Sequence, residues 1–249
     1  IKSDLASKGD LFAEAMKDAI FMMPKGSLMV EMTATIDKIY DLIEKEQNAG
    51  QSFHDIQGDI YEALLAELST AGKSGQFRTP RHIIQMMAAM INPQIGETVC
   101  DPAGGTAGFL LAAYQQVVTA NTSSQYLVTD RFGNTHGNRG DKITSEQHWN
   151  IIRNDSFYGF DFDKSMVRLG VMNLMVHGLT NPRFKYQDTM SESFGQFNKY
   201  DIVLANPPFT GSIDKGDIWP ESRLSTTKSE LLFVDRIIQM LKPGGRAAV

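Results

Sequence analysis

The first 70 residues place apolar side chains at helical spacing, with no strand-like run among them. Leu5, Phe12, Met16, Ile20 and Met23 form one stripe, stopped by Pro24-Lys25-Gly26. Ser27 predicts the N-cap of a second helix with Leu28, Met32, Ile36, Ile39 and Ile43 on one face, ending near Gly50. A third stripe, Ile56, Ile60, Leu64 and Leu68, predicts a helix over 55–70. Helices in direct succession indicate a small all-helical domain, assigned to residues 1–75.

From Thr98 the pattern changes to short branched runs alternating with helical stripes. Strands are predicted at 98–101, Phe157-Tyr158-Gly159-Phe160-Asp161, Arg183-Phe184-Lys185-Tyr186-Gln187, Tyr200-Asp201-Ile202-Val203-Leu204 and from Arg246 onward. Between them lie a helix to about Val118, one with the stripe Met166, Leu169, Gly170, Asn173 and Leu174 ending at His177-Gly178, and one over 230–241 capped by Ser229. Lys242-Pro243-Gly244-Gly245 turns that last helix into the fifth strand. Such alternation predicts an α/β domain with a doubly wound parallel sheet over 76–249, and Ile202-Val203-Leu204 is expected near its centre. The chain opens at Ile1 without a methionine and stops at Val249 inside a strand, so the domain reads as incomplete at its C-terminus.

Three irregular stretches interrupt this order. The breaker-rich loop 72–80 feeds a helix over 81–91, with Thr79 as cap and Pro80 at the first position. That helix is apolar on most sides and is expected to be buried. Residues 121–156 are polar and read as an insertion, with Tyr126-Leu127-Val128 as a small extra strand. Residues 211–227 lack apolar periodicity over a length reserved for function or disorder.

Composition narrows the functions. An apolar content of 42% suits a sizeable core, and no run reaches the roughly 20 residues that span a bilayer. A single cysteine, Cys100, precludes an internal disulfide; with no secretory signal in view, it makes the cytoplasm the expected compartment. Five histidines without paired spacing and one cysteine argue against a metal site, and Met86, Met87 and Met90 are expected as core filler. The net charge of −5 disfavours unaided DNA binding, because phosphate contacts dominate such affinity.

Four predicted strand ends carry Asp101, Asp161, Asp188 and Asn206, where open α/β sheets bind ligands. The turn Ala103-Gly104-Gly105-Thr106 lets backbone approach a ligand, and the following helix offers a positive end. Asp101 can accept hydrogen bonds from an ammonium group, Asp161 can hold ribose hydroxyls, and Asp188 can sit near an adenine amino group. Asp130 is a rival for the ribose. An acid rather than a cation beside the first turn favours S-adenosylmethionine over a pyrophosphate cofactor. After the fourth strand, Asn206-Pro207-Pro208-Phe209 offers fixed carbonyls, an amide and an aromatic face to a flat group bearing an NH2.

The stretch from Asp101-Pro102 to Phe109 and Asn206-Pro207-Pro208-Phe209 resemble motifs I and IV of the methyltransferases that make N6-methyladenine in DNA. Gly75-Gln76-Phe77-Arg78-Thr79-Pro80 precedes motif I, as motif X does in the gamma class. Together with the helical prelude and Leu241-Lys242-Pro243-Gly244-Gly245-Arg246, the chain resembles the modification subunit of type I restriction–modification systems. The family more often has Cys or Ala at Gly104, Gly at Ala107 and Glu at Asp161. The resemblance implies a Rossmann-like methyltransferase fold and direct methyl transfer to the N6 amine of an adenine flipped out of double-stranded DNA. It implies that Asn206 and the Pro207 carbonyl accept from that amine, with Pro208 fixing the turn and Phe209 stacking on the base, and that Phe77 and Thr79 line the methionine end of the cofactor. A separate specificity subunit and a restriction subunit are the implied partners. Glutamine side-chain methylation in a protein, and a non-catalytic scaffold, are the alternatives.

Overall fold

Period-two alternation makes the sheet two-sided. Val99, Phe157, Ile202 and Leu204 point to one face, and Cys100, Phe160 and Val203 to the other, so both faces need a cover of helices. The structure, a computed structural model, describes residues 13, 16, 25–48, 58, 60, 61, 63–65, 79–129, 135–208 and 211–249. Its elements in chain order are α1 (Gly26–Asn48), α2 (Arg81–Ile91), β1 (Val99–Asp101), α3 (Gly108–Ala120), β2 (Val128–Thr129), β3 (Thr135–His136), α4 (Glu146–Asn154), β4 (Phe157–Asp161), α5 (Lys164–Val176), β5 (Arg183–Tyr186), β6 (Tyr200–Leu204), α6 (Ser229–Met240) and β7 (Leu241–Ala248).

Five parallel strands form the main sheet in the order β5-β4-β1-β6-β7. The chain winds outward from β1 through β4 to β5, then returns to β1's other side for β6 and β7. The order therefore reverses between β1 and β6, which opens a crevice at their carboxyl ends. Residues from α2, α3 and α5 cover one face, centred on Leu110, Val171 and Leu174, and residues from α6 cover the other through Ile237 and Met240. The doubly wound sheet is present as expected, with β6 in its interior.

Phe184 of β5 is 2% exposed and wedged against three glycines. A Cβ on Gly104 would lie 2.5 Å from its ring and one on Gly170 3.1 Å, while one on Gly159 would collide with it outright. The ring thus fills the space that three side chains would take, and it supports the glycine turn from below.

Several expectations need correction. Ser27 does not cap the second helix, because α1 already includes Gly26, and most of its apolar stripe is solvent-exposed. Pro80, not Thr79, is the N-cap of α2, and its carbonyl accepts from the Ile83 and Ile84 amides. The α2 helix is not buried on most sides: only Ile84 and Ala88 are buried, whereas Met86 is 50% and Met90 77% exposed, because only one face of α2 meets the core. Those two methionines are not core filler. The insertion contains the unexpected helix α4, capped by Ser145 and anchored by Ile152. Its extra strand is Val128–Thr129, paired antiparallel with Thr135–His136. Ser229 lies inside α6, with Lys228 at the N-cap, and its hydroxyl donates to the Gly211 carbonyl. The final strand begins at Leu241, so Lys242 to Gly245 lie within β7, where the pairing with β6 shifts register.

Much of the first and third expected helices, the loop over 72–78, Phe77, Asp130 and Phe209 lie outside the described residues. Where residues before the sheet are described, the Tyr61 hydroxyl donates to the Leu169 carbonyl of α5 at 2.9 Å, and a Cβ on Gly58 would meet the His177 ring. Burial raises the Tyr61 pKa to about 12, so this hydroxyl stays a donor. No described helix is long and apolar enough to cross a membrane.

Candidate active site

Strand register sets the site. Asp101 ends β1 opposite Gly159, and Asp161 ends β4 opposite Tyr186. Asp188 follows β5 by two residues and Asn206 follows β6 by two. A cleft at these strand ends is lined by Pro102, Ala103, Asp161, Phe162, Gln187, Asp188, Thr189, Pro208 and Phe233. Ala103, Asp161, Asp188 and Pro208, all expected site residues, therefore converge. Asp101 and Gly104 are buried beneath them, and Gly105 and Thr106 are half-buried in the same turn.

Hydrogen bonds stitch the strand ends together. The Gly104 amide donates to the Phe160 carbonyl at 2.8 Å, and the Gly105 amide to Asp161 Oδ2 at 2.8 Å. Asp161 Oδ1 accepts from the Asp163 amide, and burial raises the Asp161 pKa. Gly105 sits at φ +52°, where a side chain is strained, and Ala107 at φ +64°. The Thr189 hydroxyl donates to the Pro102 carbonyl at 2.9 Å and ties the Asp188 turn to the glycine turn. Asp188 Oδ1 accepts from the Met190 amide, while the residue itself is exposed.

Asp101 is 1% exposed; its Oδ1 accepts from the Ala103 amide at 3.1 Å, but its Oδ2 has no partner. Burial first, and the nearby Asp161 charge second, push its pKa up to about 8. A buried acceptor without a donor is what an ammonium group would satisfy. With an exposed aromatic ring at Phe162 and acids at Asp161 and Asp188, these residues fit an adenosine that carries an amino-acid tail.

Asn206 is not part of this cleft's lining. It lies half-buried beside it, and its Nδ2 donates to Thr79 Oγ1 at 2.8 Å. With the NH2 end engaged, Oδ1 is the end left to accept from an incoming amine. Pro207 is buried and Pro208 exposed at the cleft wall, so the turn stands between the two halves of the site. Thr79 is brought there by α2, whose far end is clamped by Arg246. That guanidinium meets Glu97 at 2.7 and 2.8 Å and donates to the Ile91 and Asn92 carbonyls.

Sequence reasoning did not single out Phe162, Gln187, Thr189 or Phe233. Phe162 carried a usable signal, an aromatic residue directly after a strand-end acid. Asn173 was visible as the one polar residue in an apolar stripe; it is 1% exposed and its Nδ2 holds the Thr106 carbonyl at 2.8 Å. Among the described residues, no three His, Cys, Asp or Glu side chains converge as metal ligands.

Comparison with known proteins matches this geometry to a family. The family model described as N-6 DNA Methylase matches residues 52–249. The EcoEI type I restriction enzyme methylase subunit of Escherichia coli is 28% identical over 99% of this chain and 45% of its own length. The StySJI methylase subunit of Salmonella typhimurium is 33% identical over 81% of this chain and 36% of its own length. The solved structure of the type I restriction enzyme EcoKI M protein, from Escherichia coli, superposes with a TM-score of 0.56 at 26% identity, covering 71% of this chain and 34% of that one. The chain thus spans less than half the length of each relative. A parallel sheet reversing between β1 and β6, a glycine turn over a buried acid and an Asn-Pro-Pro corner occur together in a match that takes in most of its residues: this chain belongs to the N-6 DNA methylase family.

Proposed function

We propose that this chain carries the catalytic centre of an adenine-specific DNA methyltransferase, the modification subunit of a cytoplasmic type I restriction–modification complex. The observation that carries the reading is the Asn206 side chain, whose amide nitrogen is held by Thr79 so that its oxygen remains as an acceptor beside the cleft. The methylase-subunit names of the EcoEI and StySJI relatives support the assignment, as does a related solved chain, 28% identical with a TM-score of 0.60, described in terms of type I complex assembly. Specificity and restriction subunits are the proposed partners, and double-stranded DNA the substrate. Residues 1–75 are assigned to an accessory helical domain and 76–249 to the methyltransferase domain.

S-adenosylmethionine, when bound, supplies an activated methyl group on a sulfonium. Asp101 would accept from its ammonium and ionise in doing so, Asp161 would hold the ribose hydroxyls, and Asp188 would face the adenine amino group. The turn Ala103-Gly104-Gly105-Thr106 would admit the tail against backbone. Phe77 and Thr79 would border the methionine end. Across the corner, Asn206 Oδ1 and the Pro207 carbonyl would accept the two hydrogens of the target N6 amine, with Phe209 against the flipped base and Pro208 keeping the carbonyls in place. Those acceptors would draw the amine lone pair out of conjugation and stabilise the positive charge that develops on nitrogen when its bond to the methyl carbon replaces the carbon–sulfur bond. The surplus proton would leave to water.

The test is to incubate DNA and S-adenosylmethionine with the full-length protein and its neighbouring-gene product, then digest the DNA to nucleosides for mass spectrometry. N6-methyladenine with the parent protein and its loss with Asn206→Ala is the expected result. Equal methylation by both, or none by the parent, would reject the reading.

A further inference from the structure

The loop that leaves the Asn-Pro-Pro corner is built into the fold rather than free of it. Its base is closed where the Ser229 amide and hydroxyl both donate to the Gly211 carbonyl, and where Ser212 bridges Lys228. Its middle is pinned by Trp219, 1% exposed, whose Nε1 donates to Gln239 Oε1 at 2.9 Å. Gln239 Nε2 donates in turn to the Glu221 carbonyl at 2.9 Å, and Asp235 Oδ2 accepts from the Ser222 hydroxyl at 3.1 Å and the Arg223 amide at 3.0 Å.

Arg236 stands between this loop and the cofactor side. It is 1% exposed, and its guanidinium lies 3.9 Å from the centre of the Trp219 ring. Its Nη2 donates at 2.9 Å to the carbonyl of Ser191, three residues beyond Asp188. That same turn is fastened to the glycine turn by Thr189. Burial lowers the Arg236 pKa to about 10, so it is still cationic at neutral pH, yet its Nε and Nη1 have no hydrogen-bond partner. As packing alone this is a poor solution. An apolar side chain of similar length would fill the space without orphaned donors, but it would leave the buried Asp235 and the nearby Glu221 and Asp188 without this cation.

We propose that Arg236 is a positioning residue for methyl transfer: stacked on Trp219 and bonded to Ser191, it keeps the loop over 211–228, which follows the Asn-Pro-Pro corner, in register with the Asp188 turn. The proposal rests on the function proposed above and adds a residue that touches neither substrate nor cofactor. Its consequence is geometric, because a shift of about 1 Å between reacting groups can cost on the order of 100-fold in rate.

The experiment uses the full-length protein in its complex and compares the parent with Arg236→Met, Arg236→Lys and Trp219→Phe. Three quantities are read: the thermal midpoint, the S-adenosylmethionine Kd by calorimetry, and kcat for N6-methyladenine formation. Arg236→Met is expected to remain folded at the assay temperature, hold Kd within about threefold, and lower kcat by roughly 10–100-fold. Trp219→Phe, which keeps a flat face but loses the bond to Gln239, should fall between it and the parent. A kcat for Arg236→Met within twofold of the parent overturns the proposal. If that variant does not fold, the other two decide: a drop in kcat at full folding supports the positioning role, and a drop that merely follows the folded fraction overturns it. The parent's own activity tests the proposed function, whereas the variant-to-parent ratio tests this inference.

Discussion

Replacing Asp101 by Asn should make the chain more stable at neutral and alkaline pH while weakening its hold on the cofactor. Asp101 is 1% exposed, its Oδ2 lacks a partner, and its pKa is pushed from 3.8 to about 8. Because the folded pKa lies above the unfolded one, the native state favours the protonated acid. Its contribution is fully present below about pH 4 and is lost as pH rises through about 8. Each pH unit in that window costs about 1.4 kcal/mol, so the penalty approaches roughly 4 kcal/mol by pH 7. Asparagine keeps the shape and the acceptor for the Ala103 amide but cannot ionise, and it mimics the protonated acid. Urea unfolding followed at pH 5, 6, 7 and 8 is the assay. The stability difference, Asp101→Asn minus parent, should grow by about 1.4 kcal/mol per pH unit from pH 5 to 7 and begin to level off toward pH 8. A flat difference across that range would show that the carboxylate is ionised and satisfied in the native state, and would remove the orphan acceptor from the argument. S-adenosylmethionine narrows that difference: loss of a charged acceptor, worth about 1.5–3 kcal/mol, should raise Kd by roughly 10–100-fold.

Other consequences follow from the same geometry. Thr79→Val should lower kcat by about 3–10-fold, more than it raises cofactor Kd, because valine still borders the methionine end but loses the hydrogen bond to Asn206; Thr79→Ser should restore kcat. Cofactor affinity at an unchanged thermal midpoint is the control that separates this from misfolding. Phe184→Ala should destabilise the chain by about 3–5 kcal/mol, read by urea unfolding, because the ring packs against three glycines beneath the cofactor turn. Gly159→Ala should also be destabilising by about 1–3 kcal/mol or more, since its methyl collides with that ring.

The sheet was legible because burial on both faces leaves a simple signature. Val99-Cys100, Phe157 to Asp161 and Ile202-Val203-Leu204 are short apolar runs whose ends carry acids or Asn206, and the fold puts those ends side by side. Helix α4 was not legible, since Glu146, Gln147, His148 and Asn150 mask its one buried contact, Ile152. The exposure of Met86 and Met90 was misread for the opposite reason: a helix apolar on most sides gives little sign of which face is left uncovered. At the site, the strand-end residues could be named from position alone. The bond from Asn206 to Thr79, 127 residues apart in sequence, and the contact of Arg236 with Trp219 depend on tertiary packing that no local pattern encodes.

The central claim is that donor and acceptor sites are separate but adjacent, the cofactor at the Asp101–Asp161–Asp188 cleft and the target amine at Asn206. Single-turnover methylation by Asn206→Ala, measured with cofactor affinity on the same preparation, tests it most directly. The prediction is an unchanged S-adenosylmethionine Kd with transfer slowed by roughly 100-fold or more, the scale of losing one preorganised acceptor. Parental transfer, or loss of cofactor binding in step with activity, would contradict it.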